Sequence, residues 1–176
     1  SNKLALAAYP DLKKKVNNSQ DELLMAVKLS IAGNIIDYGA NIELDIKAEL
    51  KKILAFEEEA IKQESKLIFD YEDFKLRLLA TNKLLILGDN TGEIVFDKLL
   101  MEEIIKIKPD IKITYAVKER PIINDALVED ALYCGLDELA NVISSGSDAP
   151  GTVLSLCSDS FKAVFNEADL IISKGQ

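Results

Sequence analysis

The chain has 176 residues, of which 48% are hydrophobic and 29% charged, and it contains two cysteines and no histidine. This length and composition predict one folded domain, or one domain with an accessory lobe, and exclude a disordered chain, a collagen-like fibre and a disulfide-stapled module. The net charge of −9 argues against general binding to nucleic acid or to an anionic membrane surface.

The absence of histidine limits the chemistry that the chain can perform. It removes the commonest general base, the serine and cysteine triads and the usual zinc sites, and leaves carboxylates, amides, lysines, hydroxyls and a bound metal ion. Cys134 and Cys157 are 23 positions apart, which is not a metal or redox spacing. We expect reduced thiols in a cytoplasmic protein. No apolar run approaches the roughly 20 residues that span a bilayer.

The first 80 residues are predicted to form helices. A capping box over residues 19–22 predicts the start of a helix that ends near Gly39. A second amphipathic helix is predicted from Asp45, and Asp70 is the predicted N-cap of a third. The apolar residues of the first helix recur at helical spacing and comprise Leu24, Val27, Ile31 and Ile35.

The pattern changes at residue 83, where short apolar runs begin to alternate with helical segments. Continuous apolar runs of this kind are typical of strands covered on both faces. The alternation predicts an α/β fold, with a parallel, Rossmann-like, three-layer sheet in residues 81–176 and a helical lobe in residues 1–80. The predicted strands cover residues 83–87, 110–117, 141–144 and 170–173, and the predicted helices cover residues 93–107, 125–134 and 158–168.

Unusual polar residues follow each predicted strand. Ligands of open parallel sheets bind outside the carboxyl ends of the strands, so the fold is expected to gather these residues at one edge. The first strand is followed by Asp89, Asn90, Thr91, Gly92 and Glu93. The later strands are followed by Lys118 and Asp125, by residues 144–148 with Asp148, and by Lys174.

The segment 88–93 has two interpretations. It is either a tight turn that caps the next helix, or a loop in which Asp89 and Asn90 offer oxygen ligands while residues 91–93 turn free N–H groups toward an anion. It lacks the glycine patterns of dinucleotide and triphosphate sites. If Asp125 faces this loop, the three oxygen donors make a partial octahedral site that suits Mg²⁺ or Mn²⁺. Lys174 is then either an exposed lysine or a phosphate clamp.

Ordered blocks of sequence resemble a known family. Residues 88–97 read GDNTGEIVFD, residues 121–126 read PIINDA, and residues 144–152 read SSGSDAPGT. The block DLIISKGQ closes the chain, and AGNIIDYG at residues 32–39 belongs to the same pattern. Together these blocks resemble the DUF89 family, the metal-dependent damage-control phosphatases with an ARMT1-like domain, over nearly the whole chain.

The resemblance implies a phosphatase that hydrolyses small phosphorylated metabolites such as sugar phosphates. It implies a divalent cation, among Mg²⁺, Mn²⁺, Co²⁺ and Ni²⁺, held by Asp89, Asn90 and Asp125. Asp89 and Asp125 are the expected catalytic residues, with Asp89 the first carboxylate to suspect as nucleophile. Lys174 is implied to contact the substrate phosphate. The other expected substrate-binding residues are Thr91, Gly92, Glu93 and Asp148.

The chain also departs from the family pattern. Lys118 and Glu119 stand where relatives have Arg-Gly. Relative to the prokaryotic stand-alone type, the chain is expected to lack a segment at each end. Two other functions stay open, namely a Rossmann-like methyltransferase or nucleotide-binding module without a metal, and a non-catalytic protein that kept the fold. Dependence on a divalent ion separates the first from a phosphatase, and convergence of the three oxygen donors argues against the second.

Overall fold

The computed structural model describes residues 1–35, 48, 51–52 and 70–174, excluding the side chains of residues 34 and 35. The predicted end of the first helix at Gly39 and the predicted helix from Asp45 lie outside these residues. The same is true of most of the 32–39 block.

Two long helices begin the chain, α1 over Asn2–Asn17 and α2 over Glu22–Ile35. The predicted capping box before α2 is wrong. Ser19 Oγ donates to the Val16 carbonyl at 2.6 Å, whereas Asp21 Oδ1 accepts from the Leu24 N–H at 2.9 Å. Ser19 therefore satisfies a free carbonyl at the end of α1, and Asp21, directly before Glu22, is the residue placed to cap α2.

The predicted apolar face of α2 is also displaced. Ile31 is 38% exposed, and the fully buried apolar residues are instead Leu23, Ala26, Leu29 and Ala32. Small residues of α2 allow close packing against the side chain of Phe96. A Cβ on Gly33 would lie only 2.8 Å from Phe96 Cγ. The helix is apolar on more than one side, so the helical spacing alone did not identify the face that packs against the core.

Helix α3 covers Tyr71–Ala80 and begins as predicted. Asp70 Oδ1 accepts from the Asp73 N–H at 3.1 Å. Leu78 is buried, whereas the neighbouring Leu79 is 46% exposed. The Tyr71 hydroxyl donates to Asp21 Oδ1 at 2.8 Å, so the cap of α2 also joins α2 to α3.

Four parallel strands form one sheet in the order β3-β2-β1-β4. The strands are β1 Lys83–Leu87, β2 Lys112–Val117, β3 Asn141–Ser144 and β4 Leu170–Ser173. The connecting helices are α4 Glu93–Ile107, α5 Val128–Tyr133 and α6 Asp159–Glu167, with 3-10 turns at Leu136–Glu138 and Leu154–Leu156. The parallel α/β architecture is therefore confirmed.

Two predicted boundaries shift. Strand β2 starts at Lys112 rather than at residue 110, because Asp110 lies in the preceding turn. Helix α5 starts at Val128 rather than at Asp125, because Asp125 pairs with Asn90 in an antiparallel bridge. The segment expected to be the first turn of a helix thus belongs to the loop structure around the site.

The sheet is covered on both faces, as the continuous apolar run of β1 predicts. Leu84 and Ile86 join the larger core, which the helices α1, α2 and α4 complete. Leu85 and Leu87 point to the opposite face and pack with Phe161 of α6. The helices of the predicted lobe and one face of the sheet therefore share one hydrophobic core.

Both cysteines, Cys134 and Cys157, are buried and unbridged. None of the helices within the described residues has the length and apolar character that crossing a bilayer requires.

The strand order also places the binding crevice. The chain moves from β1 to β2 on one side of β1, and β4 lies on its other side. The carboxyl ends of β1 and β4 therefore flank a topological switch point, where open α/β sheets bind their ligands.

The two possible caps of α2 give a stability prediction. Asp21→Ala is expected to lower the free energy of unfolding by about 1–2 kcal/mol, because the Leu24 N–H loses its acceptor. Ser19→Ala is expected to cost less than about 0.5 kcal/mol, because it leaves that cap intact. Urea unfolding of the two variants measures both effects, and a larger loss for Ser19→Ala would contradict the assignment.

Candidate metal and phosphate site

The loop after β1 is hydrogen-bonded to the loop after β2. The Ala126 N–H donates to the Asp89 carbonyl at 2.7 Å, and the Thr91 N–H donates to the Asn124 carbonyl at 2.8 Å. The bridge between Asn90 and Asp125 lies between these two bonds. Backbone pairing, rather than side-chain contact, therefore brings Asp89, Asn90 and Asp125 to one place at the carboxyl edge of the sheet.

The carboxylates of Asp89 and Asp125 repel each other. Burial raises the pKa of the Asp89 carboxyl, and the negative charge of Asp125 raises it further, while Lys174 and Lys118 act in the opposite direction. Asn90 Nδ2 donates to Asp89 Oδ2 at 2.9 Å. The site thus holds two acidic groups in a position where a cation would stabilise both.

Lys118, at the end of β2, is a site residue that the sequence interpretation did not assign a role. Its side chain is 6% exposed, and Nζ lies 3.6 Å from Asp125 Oδ2. Nζ also donates to the Ala149 carbonyl at 2.9 Å and to the Gly151 carbonyl. The signal that could have indicated this role is its place at the carboxyl end of a buried strand, three positions before Pro121 of the Pro-Ile-Ile-Asn-Asp block.

Lys174, at the end of β4, is buried in contacts with protein oxygens. Nζ lies 2.5 Å from Glu93 Oε1 and 2.6 Å from Asp97 Oδ1, and it donates to the carbonyl and hydroxyl of Ser30, each at 3.1 Å. Burial by itself lowers the pKa of this lysine, but Asp97 and Glu93 outweigh that effect and raise it. The interpretation as an exposed lysine is therefore wrong, and Lys174 is a buried cation between two carboxylates.

Asp97, which the 88–97 block contains without an assigned role, anchors this group of contacts. Ser30 Oγ donates to Asp97 Oδ1 at 3.0 Å, and the Tyr115 hydroxyl donates to Asp97 Oδ2 at 2.6 Å. A Cβ at Gly88 would lie 2.5 Å from the Tyr115 hydroxyl oxygen. Glycine at this position therefore lets Tyr115 reach Asp97 beneath the loop.

The N-terminus of α4 offers fewer free donors than the sequence predicts. Gly92 has a φ of +84°, which suits glycine, and its N–H donates to Asn2 Oδ1 at 2.6 Å. The Thr91 N–H is bonded to the Asn124 carbonyl. Thr91 and Gly92 lie on the loop that carries Asp89 and Asn90, but their two backbone N–H groups already have protein acceptors.

Asp148 lies on an exposed part of the loop after β3. That loop is held to the end of β2, because the Glu119 N–H donates to the Ser147 carbonyl at 3.1 Å and Lys118 bonds two further carbonyls. The structure thus places the predicted Asp148 on the loop that adjoins the Lys118–Asp125 ion pair.

The side chains around the two loops form one charged group, which we call the buried charge cluster. Its four carboxylates and two ammonium groups leave two excess negative charges when all are ionised. This excess fits one divalent cation. The cluster consists of Asp89, Glu93, Asp97, Asp125, Lys118 and Lys174.

The donor set indicates which cations suit the site. Among the described residues, no three side chains of the Asp, Glu, Cys and His types converge on one metal position. Two carboxylates and the amide oxygen of Asn90 make a partial set of hard oxygen ligands. Such a set suits Mg²⁺ or Mn²⁺, which retain water or substrate oxygens as their other ligands.

Comparisons with known proteins identify the family to which this chain belongs. The whole chain, residues 1–176, matches the model of the damage-control phosphatase ARMT1-like domain family. An uncharacterised protein of Methanocaldococcus jannaschii is 43% identical over 183 residues, covering 99% of this chain and 56% of that protein. A damage-control phosphatase of Pyrococcus horikoshii is 39% identical over 153 residues, covering 86% of this chain and 50% of that protein.

Other matches extend the comparison. A damage-control phosphatase of Archaeoglobus fulgidus is 36% identical over 176 residues, covering 99% of this chain and 58% of that protein. The crystal structure of a DUF89 family protein from Pyrococcus horikoshii is similar with a TM-score of 0.82 at 34% identity, covering 99% of this chain and 57% of that chain. This chain therefore spans about half the length of the curated relatives that it matches.

The buried position of Lys174 gives a second stability prediction. Lys174→Met is expected to lower the free energy of unfolding by about 3–5 kcal/mol, because Glu93 and Asp97 lose the cation that neutralises them. The control is Lys83→Met, which removes an exposed pair with Glu167 and is expected to have little effect. Chemical unfolding of the full-length protein measures the difference, and equal effects of the two variants would contradict it.

Proposed function

We propose that this chain, which belongs to the damage-control phosphatase ARMT1-like domain family, carries the metal site of a phosphatase that hydrolyses small phosphorylated metabolites. The observation that carries the proposal is the convergence of Asp89, Asn90 and Asp125 where the loops after β1 and β2 pair at the carboxyl edge of the sheet. The excess negative charge of the buried charge cluster supports a divalent cation there, and the relatives named as damage-control phosphatases support the reaction class.

In this proposal Asp89, Asn90 and Asp125 hold the cation, which is Mg²⁺, Mn²⁺, Co²⁺ or Ni²⁺. When bound, a divalent cation supplies positive charge that polarises a phosphoryl group and offsets the charge on its oxygens. The protein residues orient the substrate phosphate and take up or donate protons beside the cation. A strongly acidic chain needs such a local positive centre to attract an anionic substrate.

Asp89 is the residue that we assign to the reacting side of the site. Its Oδ2 is held by the Asn90 amide, and its pKa is raised by burial and by Asp125, which is typical of a carboxylate placed for chemistry. The carboxylate acts either as the nucleophile or as the base that takes a proton from the attacking water. Asp125 acts as a ligand of the cation, and its negative charge adds to the effect of burial in raising the pKa of the Asp89 carboxyl.

The substrate phosphate is proposed to lie beside Thr91 and Gly92, with the rest of the metabolite toward the loop that carries Asp148. Lys118 is the cation best placed for this phosphate. Its Nζ has two carbonyl partners and lies 3.6 Å from Asp125 Oδ2, so one N–H remains on the side of the carboxylates. Sugar phosphates fit this description, because they combine one phosphoryl group with hydroxyls that polar loops can bind.

A nucleotide site without a metal has less support. Such a site needs an acidic residue at the end of β2 to bind a ribose. Lys118 occupies that end of the strand, and the carboxylate of the following Glu119 accepts a hydrogen bond from Ser144 Oγ.

Asp125→Asn tests the phosphatase proposal in the full-length protein. The assay is hydrolysis of p-nitrophenyl phosphate and a panel of sugar phosphates, first after chelation and then with each divalent ion. We expect activity to return with metal, and Asp125→Asn to lower kcat/KM by about 10³-fold or more, because a ligand charge is lost.

The matched control is Asp137→Asn, which removes an exposed carboxylate from the 3-10 turn after α5. This variant should retain the wild-type rate. Full activity in the presence of chelator, or in Asp125→Asn, would contradict the proposal.

A further inference from the structure

The side-chain amide of Asn90 lies between two carboxylates. Its Nδ2 is 2.9 Å from Asp89 Oδ2 and 3.4 Å from Glu93 Oε2, and its backbone N–H donates to the same Glu93 oxygen at 3.3 Å. Ionised carboxylates only accept hydrogen bonds, so the nitrogen end of the amide must face them. The amide oxygen, Oδ1, is consequently turned away from both.

Glu93 is itself fixed from the other side. Its side chain is fully buried, and Oε1 lies 2.5 Å from Lys174 Nζ. We regard this contact as an ion pair. The positive charge of Lys174 lets the Glu93 carboxylate remain ionised in a buried position. The chain of contacts therefore runs from Lys174 through Glu93 to Asn90.

Lys174 has no N–H left for a substrate. An ammonium group has three donors, and four protein oxygens surround this one: Glu93 Oε1, Asp97 Oδ1, and the carbonyl and hydroxyl oxygens of Ser30. This arrangement differs from that of Lys118, which retains a donor on the side of Asp125.

We propose that Glu93 and Lys174 are positioning residues that aim Asn90 Oδ1 at the cation, and that Lys174 does not contact the substrate phosphate. The inference rests on the proposed function, because it takes Asn90 as a cation ligand. Groups behind the ligands of metal sites commonly fix ligand orientation in this way. Asp89 and Glu93 together select the rotation of the Asn90 amide, and Lys174 holds Glu93 in place.

Glu93→Gln is the variant that exposes this role. The Lys174 ammonium would attract the oxygen of the new amide, which leaves the –NH₂ group facing the –NH₂ group of Asn90. Two donors cannot bond each other, so the Asn90 amide, then held by Asp89 alone, is expected to turn away from residue 93 and to move Oδ1 off the cation. Glu93→Asp tests the same contact without a change in charge, because the shorter side chain withdraws the carboxylate from Asn90.

Two measurements on the full-length protein read out the effect. The first is Mn²⁺ affinity by electron paramagnetic resonance of the free ion. The second, without metal, is the ¹H–¹⁵N spectrum of the Asn90 side-chain amide, assigned by its loss in Asn90→Asp. We expect each Glu93 variant to weaken Mn²⁺ binding by about 10- to 100-fold and to shift the amide signals, although no metal ligand is removed.

Two control variants distinguish a positioning role of Glu93 from the loss of a negative charge beside Lys174 and from the loss of any buried, ion-paired glutamate. Asp97→Asn removes the same charge from the same lysine but does not contact Asn90. Glu103→Gln removes another buried, ion-paired glutamate of α4, distant from the site and bonded to Lys13. Both should leave the Asn90 amide signals in place. Glu103→Gln should keep Mn²⁺ affinity unchanged, and Asp97→Asn should weaken it less than either Glu93 variant.

Lys174→Met separates positioning from phosphate binding. A positioning lysine predicts weaker Mn²⁺ binding with a KM for p-nitrophenyl phosphate, at saturating Mn²⁺, close to that of the wild type. A phosphate ligand predicts unchanged Mn²⁺ binding with a raised KM, and that result would overturn the assignment of Lys174.

The inference and the proposed function fail in different ways. Wild-type Mn²⁺ affinity and unmoved Asn90 signals in both Glu93 variants would overturn the inference alone. Absence of Mn²⁺ binding and of phosphatase activity in the wild-type protein would overturn the proposed function, and the inference would fall with it.

Discussion

The local structure of this site holds two negatively charged carboxylates, those of Asp89 and Asp125, close together. Asp89 and Asp125 lie in the loops that follow the neighbouring strands β1 and β2, and two backbone hydrogen bonds between these loops keep the carboxylates from separating. Burial raises the pKa of the Asp89 carboxyl, and repulsion by Asp125 raises it further. Such an arrangement is sustained when neighbouring cations or a bound ion offset the charge, or when one carboxyl takes up a proton.

The two buried lysines offset that charge in different ways. Lys174 is enclosed by carboxylates and by Ser30, and so acts as a fixed part of the interior. Lys118 is bound to main-chain carbonyls and faces Asp125. Helices α1 and α2 also contribute to the site. Asn2 of α1 accepts a hydrogen bond from the Gly92 N–H, and the Ser30 hydroxyl of α2 accepts one from Lys174 Nζ.

Much of the fold was predictable, because strands covered on both faces give unbroken apolar runs, and β1, β3 and β4 lie where the sequence places them. Errors arose where polar residues had two uses. Asp125 resembles a helix cap but pairs with Asn90, and Ser19 resembles a cap but bonds back to α1. Convergence of the loops followed from topology, whereas the burial of Lys174 depends on packing between distant segments that no local pattern encodes.

The most direct test is crystallography of the full-length protein soaked with Mn²⁺, using anomalous scattering to locate the ion. The account predicts one strong peak bounded by Asp89, Asn90 and Asp125, with the Asn90 oxygen rather than its nitrogen facing the ion. A peak elsewhere with this site empty, or an Asn90 nitrogen directed at the ion, would contradict it.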